Sequence, residues 1–330
     1  MFFKPAILSL FLGSLLISGM LLYAAYFGVQ ILRNWDLKSG SETQLTLERR
    51  TYLVSTILVY VFAFQLISLI LFVATADRLH PFFTGAMCAA GSLNANPWGY
   101  PAAIFKVVNF LLAGSWLVVN YVDNQGYDYP LIKKKYLLLL AIAPLILAET
   151  VVQGKYFLGL TPEVITSCCG SMFASEGKGV AAGVAALPMK PLQAALAAAM
   201  GGTFLLGVRF YRKGRGGYGF AGVSLLTFLI SMASLISFIS LYIYELPTHH
   251  CPFCILQGEY RYIGYPLHLS LLVGALAGLG VGILMPFRHI PSLQTALPMV
   301  QKRLVLLTLG PYAFFAAIGV YYLIFSNLKM

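Results

Sequence analysis

Residues 52–76 read YLVSTILVYVFAFQLISLILFVATA, a run of 25 residues without a single charged side chain. An α-helix needs about 20 predominantly apolar residues to cross the hydrocarbon core of a bilayer. Runs of this length are too long and too apolar for the half-exposed helix of a soluble domain. Residues 52–76 therefore predict a membrane-spanning helix.

The rest of the chain repeats this pattern. Seven further windows have comparable length and apolar character: residues 5–27, 102–121, 136–152, 188–208, 220–245, 266–285 and 304–325. The chain of 330 residues is 59% hydrophobic and 10% charged, with a mean hydropathy of +0.81. Soluble domains carry about 25% charged residues, so the composition excludes an ordinary soluble enzyme, and its hydrophobicity excludes a disordered chain. We expect an all-α, polytopic transmembrane helical bundle with about eight spanning helices, forming a single integral membrane domain over residues 1–330.

The basic residues that give the chain its net charge of +11 lie mainly in the connections between the windows. Odd-numbered connections carry 14 basic residues: Arg33, Lys38, Arg49, Arg50, Lys133, Lys134, Lys135, Arg209, Arg212, Lys213, Arg215, Arg288, Lys302 and Arg303. Even-numbered connections carry four: Arg78, Lys155, Lys178 and Arg261. Basic residues favour the cytoplasmic side, so the asymmetry predicts cytoplasmic odd loops and both termini outside. This accounts for the positive charge without a nucleic-acid partner.

All five cysteines fall in the even-numbered connections. Cys88 lies in the second, Cys168 and Cys169 in the fourth, and Cys251 and Cys254 in the sixth. The predicted orientation places all of them outside the cytoplasm, where disulfides form and persist. We therefore expect a bacterial inner (cytoplasmic) membrane protein whose cysteine loops face the extracytoplasmic side.

The strongest motif is Cys251-Pro-Phe-Cys254. Two thiols at this spacing can close a reactive disulfide, and a helix start there would lower the pKa of the first thiol. Such a pair at the membrane surface could pass electrons to a lipid-soluble acceptor, or it could form a static disulfide. The adjacent Cys168 and Cys169 could shuttle electrons to it by thiol–disulfide exchange, or form static bridges. Cys88 is either a thiol that belongs to neither pair or a disulfide partner for Cys168 or Cys169.

Soft metal binding competes with redox chemistry. His249 and His250 precede the motif directly, so His249, His250, Cys251 and Cys254 could together bind copper or zinc, although the spacing matches no closed site. Two acidic residues also lie near the predicted outer ends of helices, Glu149 in the fourth and Glu245 in the sixth. Ionisable groups in membrane segments are often functional, so these carboxylates could accept thiol protons or bind metal.

The order of these features resembles the vitamin K epoxide reductase family. A helix is followed by Cys168 and Cys169, then by two helices, then by Cys251-Pro-Phe-Cys254 before another helix. The resemblance covers residues 136–286 and implies a redox four-helix unit, with residues 1–135 and 287–330 as additional helices. It implies that Cys251 and Cys254 are the quinone-side redox centre and that Cys168 and Cys169 are the shuttle pair. In the family the shuttle cysteines are separated, whereas here they are adjacent.

Three functions are consistent with these patterns. The first is a membrane thiol–disulfide oxidoreductase that passes electrons between extracytoplasmic cysteines and a quinone, with an extracytoplasmic thiol protein or a small thiol as partner. The second is a membrane protein that binds or transports copper or a similar soft metal. The third is a non-catalytic subunit of a membrane complex, whose disulfides only staple its outer loops.

Overall fold

The fold is entirely helical. A computed structural model describes residues 4–36, 39–162, 164–166 and 180–328. It is 81% helical, and the residues it describes form no strand. The α-helices are α1 (Pro5–Asn34), α2 (Glu42–Leu79), α3 (Ala89–Leu93), α4 (Gly99–Asp123), α5 (Ile132–Leu158), α6 (Val180–Ala185), α7 (Met189–Lys213), α8 (Gly217–Ser234), α9 (Ser240–Tyr244), α10 (Gly264–Leu284) and α11 (Ala296–Phe325).

Eight helical segments are long and apolar enough to cross a membrane, which confirms the predicted all-α polytopic class. Helix α2 continues through a 3₁₀ turn to Phe82, and a π-helical turn, Leu235–Ile239, joins α8 to α9 in one span. Several observed helices are longer than their apolar windows. Helix α2 begins at Glu42, ten residues before residue 52, because its first turns contain charged residues that form helix readily but are not apolar.

The described chain divides into two compact units. Unit 1 comprises Met1–Thr75, Asn96–Thr161 and His289–Ala296, and it contains α1, most of α2, α4 and α5. Its apolar core is built around large aromatic side chains such as Phe62 and Trp116, whose ring centroids lie 4.9 Å apart.

The helical hairpin of α4 and α5 in unit 1 contains a buried ion pair. The Nζ atom of Lys106 lies 2.7 Å from Oε1 of Glu149. The other carboxylate oxygen, Oε2, accepts hydrogen bonds of 2.6 Å from Gln65 and 2.6 Å from Asn109. A charge buried among membrane helices is costly unless it is paired and hydrogen-bonded, and this network satisfies both requirements.

A second ion pair lies at the other end of the same hairpin. The Nζ atom of Lys135 is 2.7 Å from Oδ2 of Asp123, and both side chains are buried. The second carboxylate oxygen of Asp123 accepts the backbone N–H of Leu131 at 2.7 Å. Asp123 thereby links the end of α4 to the beginning of α5.

Unit 2 comprises Ala76–Ala95, Pro162–Arg288 and Leu297–Met330, and it contains α3 and α6 to α11. Its helices approach closely where side chains are small. A Cβ atom on Gly278 would lie 2.1 Å from Oγ of Ser224, and one on Gly274 would lie 2.5 Å from the ring of Tyr312. Small residues of this kind allow membrane helices to pack tightly.

The segment 136–286, which the sequence led us to expect as one four-helix unit, is divided between the two units. Helix α5 belongs to unit 1, and α7 to α10 belong to unit 2.

Candidate functional site: a buried cluster of three cysteines

Three cysteines from distant parts of the sequence converge in unit 2. The Sγ atoms of Cys88 and Cys251 lie 3.6 Å apart, although 163 residues separate them. Cys254 completes the cluster, in which all three Sγ atoms lie within 4.8 Å of one another. Their exposed fractions are 0%, 0% and 5%, respectively. The pair at 251 and 254 is visible in the sequence, whereas no local pattern there indicates that Cys88 would join it.

The segment that carries the Cys251-Pro-Phe-Cys254 motif is a turn, so the condition for a lowered thiol pKa, a helix that starts at the motif, is not met. A three-residue 3₁₀ helix, Cys254–Leu256, follows the turn, and α10 begins only at Gly264. Arg261 and Tyr262 have φ values of 54° and 56°, which are incompatible with a continuous right-handed helix. The cluster therefore lacks the long N-terminal helix dipole that was expected to stabilise a thiolate.

The hydroxyl of Tyr244, at the end of α9, holds the motif segment. It donates a hydrogen bond of 2.5 Å to the carbonyl of Cys251 and accepts one of 2.9 Å from the backbone N–H of Ile255. The rings of His249 and Tyr260 contact the Tyr244 ring edge-on, with centroids at 4.4 Å and 4.7 Å. A single buried side chain thus fixes the backbone on both sides of the two thiols.

The two histidines proposed as metal ligands have other contacts. His250 Nδ1 lies 3.1 Å from the carbonyl oxygen of Ile236, within the π-helical turn, where it acts as a donor in the Nδ1–H tautomer. A π-turn displaces a carbonyl from the regular helical ladder, which makes it available to such a donor. His249 packs against Tyr244. Among the described residues, the group with ligand atoms close enough to share one ion consists of the three cysteines.

A carboxylate from the C-terminal end of α2 supports the Cys88 side of the cluster. Oδ1 of Asp77 accepts the backbone N–H of Ala89, the residue after Cys88, at 3.2 Å. The same oxygen accepts a hydrogen bond of 3.3 Å from Nε2 of Gln257. That amide nitrogen also donates a hydrogen bond of 2.7 Å to the carbonyl of Met87. Gln257 thereby links the segment after Cys254 to the segment before Cys88. Neither Asp77 nor Gln257 was predicted from the sequence, because neither belongs to a recognisable motif.

The remaining predicted residues occupy different positions. Glu149 belongs to unit 1, in the ion pair with Lys106. Glu245 is exposed just after α9, and its carboxylate accepts hydrogen bonds from the backbone and side chain of Asn327, which lower its pKa. Cys168 and Cys169 lie outside the described residues. The segment just before them reaches Thr166, whose N–H donates to the carbonyl of Thr84 at 2.8 Å.

Comparisons of this chain with models of protein families, with curated proteins and with solved structures found no significant match. The chemistry of the cluster is therefore the ground for assigning a function. Three thiols at these distances can exchange disulfides among themselves, or they can bind one soft metal ion as thiolates.

Proposed function

We propose that the protein is a membrane thiol–disulfide oxidoreductase that passes electrons from extracytoplasmic thiols to a quinone. The observation that carries the proposal is the position of Cys88 Sγ, 3.6 Å from Cys251 Sγ, with the thiol of Cys254 three residues after Cys251 in the same cluster. This arrangement allows Cys251 to form a disulfide with either neighbour after a small movement, since a disulfide needs a sulfur separation of about 2.05 Å. We place the cluster on the extracytoplasmic side of a bacterial inner membrane, on the basis of the loop charges.

The exchange step conserves electrons. The thiolate of Cys88 attacks the sulfur of Cys251 in a Cys251–Cys254 disulfide. A Cys88–Cys251 bond forms, the Cys251–Cys254 bond breaks, and Cys254 leaves as a thiolate that takes up a proton. A dithiol substrate then reduces the Cys88–Cys251 disulfide, becomes a disulfide itself and leaves two thiols behind. By the sequence argument, Cys168 and Cys169 are the pair that mediates this second exchange.

Reoxidation completes the cycle. The thiols of Cys251 and Cys254 lose two electrons and two protons as their disulfide forms again. These electrons and protons would pass to a quinone, which would leave as a quinol. The described residues can supply the thiols and position them, whereas the two-electron acceptor chemistry belongs to the quinone when it is bound.

Thiolate formation in a buried cluster requires a nearby proton acceptor, because burial disfavours the charged sulfur. Asp77 has the appropriate chemistry and position, since its carboxylate binds the backbone N–H next to Cys88. We assign it the role of accepting the Cys88 proton. Gln257 holds this carboxylate in place by donating to the same oxygen.

The test is quinone reduction by a dithiol with the purified full-length protein in liposomes. We expect Cys251→Ser and Cys88→Ser each to abolish reduction of decylubiquinone by dithiothreitol above the uncatalysed rate. Met87→Leu, a change beside Cys88 that keeps the backbone carbonyl bound by Gln257, should retain activity. Full activity in Cys251→Ser would refute the proposal.

Disulfide mapping distinguishes a relay from a staple. In Cys254→Ser, we expect a Cys88–Cys251 disulfide to accumulate, because the alternative partner of Cys251 is missing. In Cys88→Ser, a Cys251–Cys254 disulfide should accumulate instead. A single connectivity that resists dithiothreitol would indicate a static disulfide in a non-catalytic subunit.

A second candidate, soft-metal binding, is favoured by the mutual approach of the three sulfurs within 4.8 Å. Three thiolates suit Cu(I) in particular, and a Cu(I) tris-thiolate carries a net charge of −2. That charge would lie beside the Asp77 carboxylate, which disfavours it relative to neutral thiols or a disulfide. Elemental analysis of protein purified without chelator tests this candidate. Stoichiometric copper or zinc that is lost in Cys88→Ser would favour metal binding over electron transfer.

A further inference from the structure

One end of unit 2 carries a dense group of basic side chains, which we call the basic patch. Two stretches of the chain form it: the end of α7 with its connection to α8, and the end of α10 with the first turns of α11. Six of its members are exposed, and Arg288 is half-buried. The seven members are Arg209, Arg212, Lys213, Arg215, Arg288, Lys302 and Arg303.

Contacts of Arg288 and Lys302 bring the two stretches together. The guanidinium of Arg288 donates from Nη1 to the carbonyl of Gly214, and from Nε to Oε1 of Gln301 at 2.7 Å. The Nζ atom of Lys302 lies 5.6 Å from the centroid of the Tyr211 ring. The end of α7, the end of α10 and the beginning of α11 therefore present their basic side chains at one surface of unit 2.

No carboxylate of the chain neutralises this surface. The stretches 209–219 and 285–303 contain no Asp or Glu, so the seven basic residues give the basic patch a formal charge of +7. The ion pairs formed among the described residues include none of these seven. Like charges gathered at this density repel one another, so an external anion that binds there is stabilised.

The requirements of membrane orientation do not account for the missing acids. The 14 basic residues of the odd connections are shared equally, with seven in unit 1 and seven in unit 2. The positive-inside rule counts Lys and Arg, whereas Asp and Glu contribute little to it. Nevertheless, the odd connections of unit 1 also contain five acidic residues: Asp36, Glu42, Glu48, Asp123 and Asp128. Both units thus meet the rule equally, and the absence of acids in unit 2 calls for a different explanation.

The basic patch borders the apolar spans directly. Arg209 follows the apolar window 188–208, and Arg303 precedes the window 304–325. Tyr211 and Tyr218 are exposed in the same region, as is typical of aromatic residues at the interface between membrane and water. This is the depth at which phospholipid head groups lie.

We propose that the basic patch binds the head groups of anionic phospholipids. Their phosphodiesters supply the negative charge that the chain lacks at this surface, and Arg and Lys both bind phosphate oxygens well. Arg288 is held in place by its bonds to Gly214 and Gln301, which use two of its five N–H donors and leave three for a phosphate. A lipid is favoured over a soluble anion because the basic patch lies beside the apolar spans, where acyl chains pack. This site is independent of the redox proposal.

The test uses the full-length protein in phosphatidylcholine liposomes. Electron paramagnetic resonance measures how much spin-labelled phosphatidylglycerol the protein immobilises, relative to spin-labelled phosphatidylcholine. We expect a preference for phosphatidylglycerol that disappears in about 1 M NaCl, where charges are screened beyond about 3 Å. Equal immobilisation of the two lipids would overturn the proposal. Displacement of phosphatidylglycerol by inorganic phosphate, beyond that by chloride at equal ionic strength, would overturn the assignment to a lipid.

Two variants remove charge from the basic patch. Arg212→Gln/Lys213→Gln/Arg215→Gln changes the end of α7, and Lys302→Gln/Arg303→Gln changes the beginning of α11. A basic residue near a membrane surface adds about a fivefold factor to the binding of anionic lipid. We therefore expect the preference for phosphatidylglycerol to fall by about fivefold or more in each variant. An unchanged preference in both would overturn the proposal.

A matched control removes three exposed basic residues from the odd connections of unit 1. Arg49→Gln/Arg50→Gln/Lys134→Gln takes away as many orienting charges as the triple variant of the basic patch. Carboxylates accompany these three residues in unit 1, so we expect the preference for phosphatidylglycerol to persist. Equal losses in the two triple variants would show that net charge alone attracts the lipid, and would contradict a site at the basic patch.

Discussion

At the scale of single residues, the cysteine cluster depends on side chains that carry no sulfur. Tyr244 joins the carbonyl of Cys251 to the N–H of Ile255, and Asp77 joins Ala89 to Gln257. Each satisfies buried backbone or amide groups, which are expensive to leave without partners. The two differ in that only the carboxylate can accept a proton from a thiol near neutral pH.

This difference leads to a prediction for Asp77→Asn. The amide oxygen can still accept hydrogen bonds from Ala89 and Gln257, so the cluster should keep its geometry. Loss of the proton acceptor should slow dithiol-driven quinone reduction about 100-fold near pH 7. Because a rising pH ionises a larger fraction of the thiol without an internal base, the rate should recover as the pH rises.

Glu259→Gln is the control for Asp77→Asn, since it neutralises an exposed carboxylate in the segment between Cys254 and α10. It should leave both the rate and its pH profile unchanged. A pH-independent loss in Asp77→Asn would instead assign Asp77 a purely structural role.

At the scale of helices, the α4–α5 hairpin explains why Glu149 is buried. Intramembrane acids are often functional, and Glu149 was a candidate site residue on that ground. In the structure its charge is matched by Lys106 and its oxygens by two amide donors. Removing one partner from such a pair leaves an uncompensated buried charge, whereas removing both does not.

We therefore predict that Lys106→Met destabilises the protein strongly, by about 3–5 kcal/mol. The double variant Lys106→Met/Glu149→Gln should lose much less, and Lys134→Met, at an exposed lysine near the start of α5, should have little effect. Thermal unfolding in detergent measures all three. Additive losses in the double variant would show that the two side chains do not stabilise each other.

A second prediction at this scale concerns the C-terminal end of α11. Hydrogen bonds from Asn327 lower the pKa of Glu245, so the ionised carboxylate holds the chain end. A group with a lowered folded pKa stabilises above its unfolded pKa, which is about 4.3, and the contribution disappears as the pH falls through the folded value. The protection factor of the Asn327 amide, its intrinsic exchange rate divided by the observed rate, should fall as the pH drops through the folded pKa of Glu245, and in Glu245→Gln it should be low throughout. A protection factor that changes neither with pH nor in Glu245→Gln would contradict this contact.

The helices themselves were predictable from sequence, because a bilayer imposes a minimum apolar length that residues 52–76 and the other windows meet. The motif at Cys251 was less predictable. Its two thiols are visible in sequence, but the turn around Arg261 depends on left-handed backbone conformations that Arg and Tyr rarely signal. The approach of Cys88 to Cys251 spans 163 residues, and no local pattern encodes a contact of that range.

At the scale of the whole molecule, the redox proposal depends on which side of the membrane the cysteines face. Lys and Arg are distributed 14 to 4 between odd and even connections, and this asymmetry predicts that the even connections lie outside. An oxidising compartment favours disulfide cycling, whereas the cytoplasm keeps most thiols reduced. Sidedness therefore bears on function as much as on topology.

Cysteine labelling in intact cells tests the orientation. In a variant with its five native cysteines replaced by serine, we introduce either Ser41→Cys, before α2, or Thr248→Cys, just before the motif; both positions are exposed. A membrane-impermeant maleimide should label position 248 in intact cells and position 41 only after permeabilisation. The reverse pattern would place the three-cysteine cluster in the reducing cytoplasm. Thiolates would then be maintained there, and soft-metal binding would become the better explanation of the cluster.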